Sequence, residues 1–340
     1  MERKQLSPTD HPFFEHATRE MFVCYRGQTP VGRIVAIKDQ MHNDHHADQV
    51  GFFGCFEAED DQTVVDALIS AASDWLVDNG CDTMRGPVNP SMKSDFGVVV
   101  EGNDDPPCIM MGYSHKRYEA QLLKNGFEIA RTFRAFKFLS ADNEDSQPMW
   151  SRIAKTQARI LKRYPELSFR STGPENFEAV LRDINVLGNS VRSQGWGFVP
   201  LTENELIFMI KNLRRVIRYD LIHTAYWNDQ LVGYAVSIPD VNWALKRTWG
   251  KWDWLRMLQL PGLIKSAQRA RVIALGVDEN FRKKGVAMLL IQKITEQHQA
   301  FDEWELSWVD EENVKSIRAI AGAVPLITNK IYRLYDKPIG

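Results

Sequence analysis

The most chemically specific spacing in the chain is Arg271-Val-Ile-Ala-Leu-Gly-Val-Asp-Glu-Asn-Phe-Arg-Lys-Lys-Gly-Val-Ala287. An apolar strand-like run enters a turn carrying Arg282, Lys283 and Lys284, and helical spacing follows through Leu290, Ile291 and Ile294. A strand that leads through a basic turn into a helix start aims successive amide N–H groups at a concavity suited to pyrophosphate. Gly285 permits close backbone approach. The expected ligand is therefore rich in phosphate, held by Arg282, Lys283 and Lys284 and by the amides of Gly285, Val286 and Ala287.

Other polar clusters point to less. His42, Asp44, His45, His46 and Asp48 have the composition of a metal site, but they read as a polar loop, and neighbouring His45 and His46 cannot face one way in a strand. No metal is expected. Cys24, Cys55, Cys81 and Cys108 form no C-x-x-C pair, so reduced thiols in a cytoplasmic protein are the expectation. The formal net charge is -2 and no nucleic-acid motif is present, which argues against a nucleic-acid partner. No apolar run approaches the ~18 residues of a membrane span, and the charged start of the chain does not read as a signal peptide. From Asn242 to Arg271, seven cations face Asp253 alone, a local charge of +6. That field draws a polyanion to the second half.

The elements that must hold these residues emerge from a repeat. At an offset of 201 residues, Tyr25-Arg-Gly-Gln-Thr-Pro-Val-Gly-Arg-Ile-Val-Ala-Ile-Lys-Asp39 aligns without a gap on Tyr226-Trp-Asn-Asp-Gln-Leu-Val-Gly-Tyr-Ala-Val-Ser-Ile-Pro-Asp240, with six of fifteen positions identical. Both copies read as β-hairpins. An amphipathic helix and a strand follow each hairpin: Thr63 to Asn79 in the first half, and Ala287 to His298 with the strand Trp304 to Val309 in the second. Each half closes with a helix, a glycine and an aromatic strand, seen at Gly126 with Phe133 to Phe136 and at Gly322 with Tyr332 to Tyr335. A chain of 340 residues accommodates two such α/β layers. The expected division is 1–140, a linker and basic helix over 141–165, and 166–340.

Arg282-Lys-Lys-Gly-Val-Ala287 resembles the Arg/Gln-x-x-Gly-x-Gly/Ala acyl-CoA loop of the GCN5-related N-acetyltransferase (GNAT) superfamily. Glu305-Leu-Ser-Trp-Val-Asp-Glu-Glu-Asn313 is similar to that superfamily's next strand and downstream Asn, and Tyr332-Arg-Leu-Tyr335 to its closing strand. The resemblance implies tandem GNAT-like domains, each a mixed, mostly antiparallel sheet flanked by helices. It further implies acetyl-CoA or another acyl-CoA as cofactor and a small amine or amino-acid-like acceptor that attacks the thioester directly. The pantetheine arm would pair with backbone at Leu275 and Val277, the Val277 amide would polarise the thioester carbonyl, and Asn313 would touch the cofactor. Superfamily enzymes often carry a general-acid Tyr where Ile320 stands. Ser307, Asp310 and Tyr332 are candidates for that role, against plainer readings as strand-end polar residues and sheet packing. The missing Tyr keeps a second class open: a non-catalytic protein that binds CoA or an acyl carrier.

A closer likeness is to large two-domain bacterial members of obscure function, which share Gly51-Phe-Phe-Gly-Cys-Phe-Glu57, Arg85-Gly-Pro-Val-Asn89 and Gly195-Trp-Gly-Phe-Val-Pro200. The first half looks like a copy without the cofactor loop, because Glu57-Ala-Glu-Asp-Asp-Gln62 would repel pyrophosphate. One site per chain follows. The segment containing Trp252 and Trp254 interrupts the repeat and reads either as a packed excursion or as an apolar, basic-rimmed lid over the acceptor or acyl chain. A monomer and a homodimer are both compatible with the sequence.

Overall fold

The computed structural model describes residues 2–139, 147–214, 216–242, 246, 262, 264–295 and 301–340. The first half runs β1 (Ala17–Arg26), β2 (Thr29–Asp39), α1 (Gln40–His46), β3 (Val50–Ala58), α2 (Gln62–Asp78), β4 (Thr83–Gly86), β5 (Val88–Asn89), β6 (Asp95–Phe96), β7 (Val98–Glu101), α3 (Arg117–Lys124) and β8 (Glu128–Leu139). There follow α4 (Gln147–Arg163), β9 (Leu167–Ser171), α5 (Phe177–Arg192), α6 (Glu203–Leu213), β10 (Ile222–Trp227), β11 (Gln230–Pro239) and β12 (Arg269–Val277). A 3-10 turn over Glu279–Lys284 then leads to α7 (Val286–Thr295), β13 (Glu303–Asp310), α8 (Val314–Ala321) and β14 (Ile327–Pro338). Among the described residues, no helix is long and apolar enough to cross a membrane.

The offset of 201 residues is reproduced in the backbone. In the first hairpin the register shifts between Cys24 and Tyr25, and Arg26 pairs with Thr29. In the second it shifts between Ala225 and Tyr226, and Trp227 pairs with Gln230. The shared glycine has a packing cause. A Cβ on Gly32 would stand 2.8 Å from Leu68 Cδ1 of α2, and one on Gly233 would stand 2.9 Å from Val286 Cγ1 of α7. The match reaches past the hairpins: Glu59 N–H donates to Val31 O and Asp278 N–H to Val232 O, each at 2.9 Å. Ala58 and Val277 therefore occupy equivalent places.

The chain forms two compact units, one of residues 1–133, 195–205 and 330–340, the other of 134–194 and 206–329. The sequence-based division at 140 and 165 differs from this arrangement. The last strand supplies residues to the first unit, as does the segment from Gly195, and α4 packs into the second unit rather than standing as a linker. Pairing partners distant in the chain leave no local signal for such exchanges. In the first unit the strand order is β1-β2-β3-β4-β14, with β7 also on β14. Its core gathers Val64, Val65, Leu68, Ile69, Ala72 and Leu76 of α2 over the sheet, and Asp61 caps that helix by accepting from Thr63 N at 2.9 Å. In the second unit the order is β8-β13-β12-β11-β10-β9, and Leu289, Leu290, Ile291 and Ile294 of α7 fill the core.

The run from His42 to Asp48 is largely helical, not a loop: Asp39 caps α1 by accepting from His42 N. His42 is 1% exposed and meets the Phe52 ring edge-on at a centroid distance of 4.8 Å. Burial holds its imidazole down at about 3, so it remains neutral.

Candidate functional site

The second unit opens a cleft between two neighbouring strands. β12 and β13 run parallel and pair from Arg269 with Glu303 to Val272 with Leu306. Beyond that point β12 continues to Val277 along β11, whereas β13 continues to Asp310. The hydrogen bond from Asp278 N to Val232 O fixes which way each residue faces. In an antiparallel pair successive residues turn their amides to opposite sides. Asp278 and Gly276 thus face β11, and the N–H groups of Val277 and Leu275 face the parted side.

The strand ends at Asp278, whose carboxylate accepts from Asn280 N at 2.9 Å and starts the 3-10 turn. Gly285 closes the turn at φ +80, and α7 begins at the next residue. The first-turn N–H groups of a helix have no carbonyl above them, so the amides from Val286 onward supply donors and a positive end. The basic side chains divide. Arg282 is exposed and folds back, with Nε 3.3 Å from Val277 O and Nη1 3.9 Å from Glu279 Oε1. Lys283 is exposed. Lys284 Nζ instead lies over three rings, at 4.8 Å from Trp227, 5.4 Å from Tyr164 and 5.6 Å from Phe281.

The residues considered for acid catalysis have other surroundings. Ser307 is buried, donates to Glu305 Oε1 at 3.1 Å and accepts from Arg271 Nε at 3.0 Å. Arg271 and Glu305 are themselves buried, and the guanidinium also stacks over Trp308 at 4.6 Å. This network sits where the strands part, and of its three members only the serine stands out in the sequence as a catalytic candidate. Asp310 shapes the following turn, its Oδ1 accepting from Glu312 N at 3.0 Å. Asn313, expected to touch the cofactor, caps α8, its Oδ1 accepting from Ser316 N at 3.2 Å. Tyr332 belongs to the first unit, where it is fully buried with its hydroxyl 3.9 Å from Met111 Sδ. Ile320 is buried in the core of the second unit. Trp252 and Trp254 lie outside the described residues.

The first unit contains the corresponding parting of strands, with different contents. β3 and β4 pair in parallel only from Val50 with Thr83 to Phe52 with Arg85. Ala58 N–H, the counterpart of Val277 N–H, donates to Tyr118 Oη at 3.2 Å. Cys55 N–H donates to Asn89 Oδ1 at 2.6 Å, and a Cβ on Gly54 would stand 1.8 Å from Val88 O. The acidic connection is internally paired: Tyr118 Oη donates to Glu57, and Arg26 bridges Glu59 and Asp61 at 2.7 Å each. Burial, followed by the Glu57 carboxylate, pushes the Tyr118 hydroxyl up to about 12, so it stays protonated.

Comparison with known proteins agrees with this fold. Residues 195–321 match the acetyltransferase (GNAT) family. The Bacterial ceramide synthase of Caulobacter vibrioides (strain NA1000 / CB15N) is 30% identical over 351 residues, covering 100% of this chain and 89% of that protein. Protein YghO of Escherichia coli (strain K12) is 26% identical over 350 residues, covering 100% of this chain and 87% of that protein. A tandem GNAT protein from the clavulanic acid biosynthesis pathway superposes with a TM-score of 0.53 at 11% identity, over 96% of this chain and 84% of that one. That last likeness is one of fold.

Proposed function

From the chain's membership of the GCN5-related N-acetyltransferase (GNAT) family, we propose that it transfers an acyl group from acyl-CoA to an amine by direct attack on the thioester. The parting of β12 from β13, with the Val277 and Leu275 amides turned into the gap and the basic turn at its end, carries this reading. Val277 and Leu275 would hold the pantetheine arm. Arg282 and Lys283, with the amides of Gly285, Val286 and Ala287, would hold the phosphates. Bound acyl-CoA supplies an acyl group already activated as a thioester.

The chain's own contribution is an amide at Val277 that stabilises charge growing on the carbonyl oxygen, together with alignment of the incoming amine. The Ser307 hydroxyl is committed to Arg271 and Glu305, and Asn313 serves α8. Neither is assigned a proton-transfer role.

The acceptor is proposed from chemistry and kinship together. A ceramide is the N-acyl derivative of a long-chain amino alcohol, so the 30%-identical relative's name extends the acceptor class from small amines to long-chain ones. Acetyl-CoA and a long-chain acyl-CoA should be presented with short amines, amino acids and a long-chain amino alcohol while thiol release and amide product are followed. Amide formation with the long-chain amine supports this assignment, and exclusive use of short amines corrects the acceptor. The buried Ile320, in the place of a general-acid Tyr, favours one other reading: a CoA-binding protein without turnover. CoA binding with no amide from any pair would establish it, and no CoA binding would overturn both.

A further inference from the structure

Lys284 is set apart from its two basic neighbours by what surrounds it. Its ammonium lies among the rings of Trp227, Tyr164 and Phe281, which also contact one another, with Tyr164 to Trp227 at 5.8 Å and Trp227 to Phe281 at 5.4 Å. The rings come from three places in the chain: the end of β10, the residue after α4 and the turn itself. Gly285 adds a second contact on the α4 side, because a Cβ there would stand 2.5 Å from Ile160 Cδ1. Tyr164 N donates to Ile160 O at 2.9 Å, so the two residues share one helical face. The face that receives Gly285 is thus the face whose tyrosine joins the cage.

We propose that Lys284 is a positioning residue: its ammonium, held in the cage of Trp227, Tyr164 and Phe281, pins the basic turn to α4 and to the hairpin, and phosphate contact falls to Arg282, Lys283 and the turn's amides. A cation over ring faces is attracted by their negative quadrupoles, and more strongly where water is partly excluded. Leaving the cage for a phosphate would exchange three ring contacts for a pairing in solvent that salt screens. Lys284 thereby sets the shape of the turn, and its exposed neighbour Lys283 contributes charge. This assignment rests on the acyl-CoA reading only for the identity of the phosphate ligand. The cage itself is independent of it.

The test compares Lys284→Met, Lys284→Arg, Trp227→Leu and Lys283→Met with the parent protein in two ways. Amide hydrogen exchange over residues 281–288 of the ligand-free protein should quicken about tenfold in Lys284→Met and Trp227→Leu. It should stay near parental in Lys283→Met and return toward parental in Lys284→Arg, since guanidinium also binds ring faces. CoA titrations at low and high salt should show a shallower salt dependence for Lys283→Met, whereas Lys284→Met binds more weakly with the parental salt dependence. Unchanged exchange in Lys284→Met, or no recovery in Lys284→Arg, overturns the proposal whether or not CoA binds. A salt dependence in Lys284→Met as shallow as in Lys283→Met also overturns it, by making Lys284 a phosphate contact. If the parent does not bind CoA, the acyl-CoA reading fails while the exchange result still decides the cage.

Discussion

Replacing Gly285 by alanine places two separable loads on the turn. Its φ of +80 lies where an L side chain crowds its own backbone, at a cost of about 1–2 kcal/mol. The new Cβ also meets Ile160 Cδ1 at 2.5 Å. That methyl ends a flexible side chain, so an off-rotamer shift costing about 1 kcal/mol can relieve the overlap. The expected destabilisation is therefore about 2–3 kcal/mol, with the turn displaced from α4 and CoA affinity down about tenfold. Urea unfolding and calorimetric titration of Gly285→Ala measure both effects. Ile160→Val, which lacks Cδ1, separates the loads: combined with Gly285→Ala it should recover about 1 kcal/mol relative to additivity, leaving the backbone component. If Gly285→Ala is as stable as the parent, the reasoning about backbone strain is wrong. If the double variant shows no coupling, the packing of the turn on α4 is wrong.

Three further outcomes are expected. Burial would raise the Glu205 carboxyl, but the His16 imidazole, with Nε2 3.7 Å from Oε1, and the Lys93 ammonium, which donates to both carboxylate oxygens, outweigh it and hold it at about 2, below its ordinary 4.5. Its contribution is full above pH 4.5 and is lost as pH falls toward 2, so Glu205→Gln should cost about 3 kcal/mol in urea unfolding near pH 6 and progressively less below 4.5. Burial would lower His16, but Asp39 and Glu205 raise it to about 9 from 6.5, so its contribution is full below 6.5 and lost as pH rises through 9. A flat acid limb in the parent protein would contradict the pairing. Ile320→Tyr should destabilise by about 1–3 kcal/mol through overpacking without raising turnover, and a stable, faster variant would remove residue 320 from the core. Calorimetric titration should count one CoA per chain, and two equivalents would contradict the assignment of the first unit as closed.

Much of this architecture was legible because it depends on short-range patterns. The spacing of Val64, Leu68 and Leu76 located α2, and the predicted strand from Trp304 to Val309 lies within the observed Glu303–Asp310. The Tyr-Val-Gly-Val-Ile-Asp identities located a hairpin whose glycine, in both copies, makes room for a helix. The turn at 282–287 was legible because its charge and glycine stand in sequence order. Features that no local pattern encodes depend on partners far along the chain. Nothing local in Lys284 says that Trp227 and Tyr164 will surround it. Likewise, Arg271 and Glu305 read as ordinary charged strand residues, although both end up buried around Ser307. The histidine run reads as a loop because its polarity hides a capped helix, which Asp39 starts.

The sequence attributes closure of the first unit to acidic repulsion, and the structure supplies a different cause. Glu57, Glu59 and Asp61 are each paired, with Tyr118 or Arg26, so their field is reduced at the place where repulsion was invoked. The decisive differences are positional. From Glu59 to the start of α2 at Gln62 the chain has no room for the turn that separates Asp278 from α7 at Val286. The amide equivalent to the Val277 donor is already satisfied by Tyr118, and the gap between β3 and β4 holds Val88 and Asn89. A buried donor that has a fixed partner gains little from exchanging it for a ligand. Removing the carboxylates would therefore leave the first unit closed, because its own side chains stand where the arm of a carrier would have to lie.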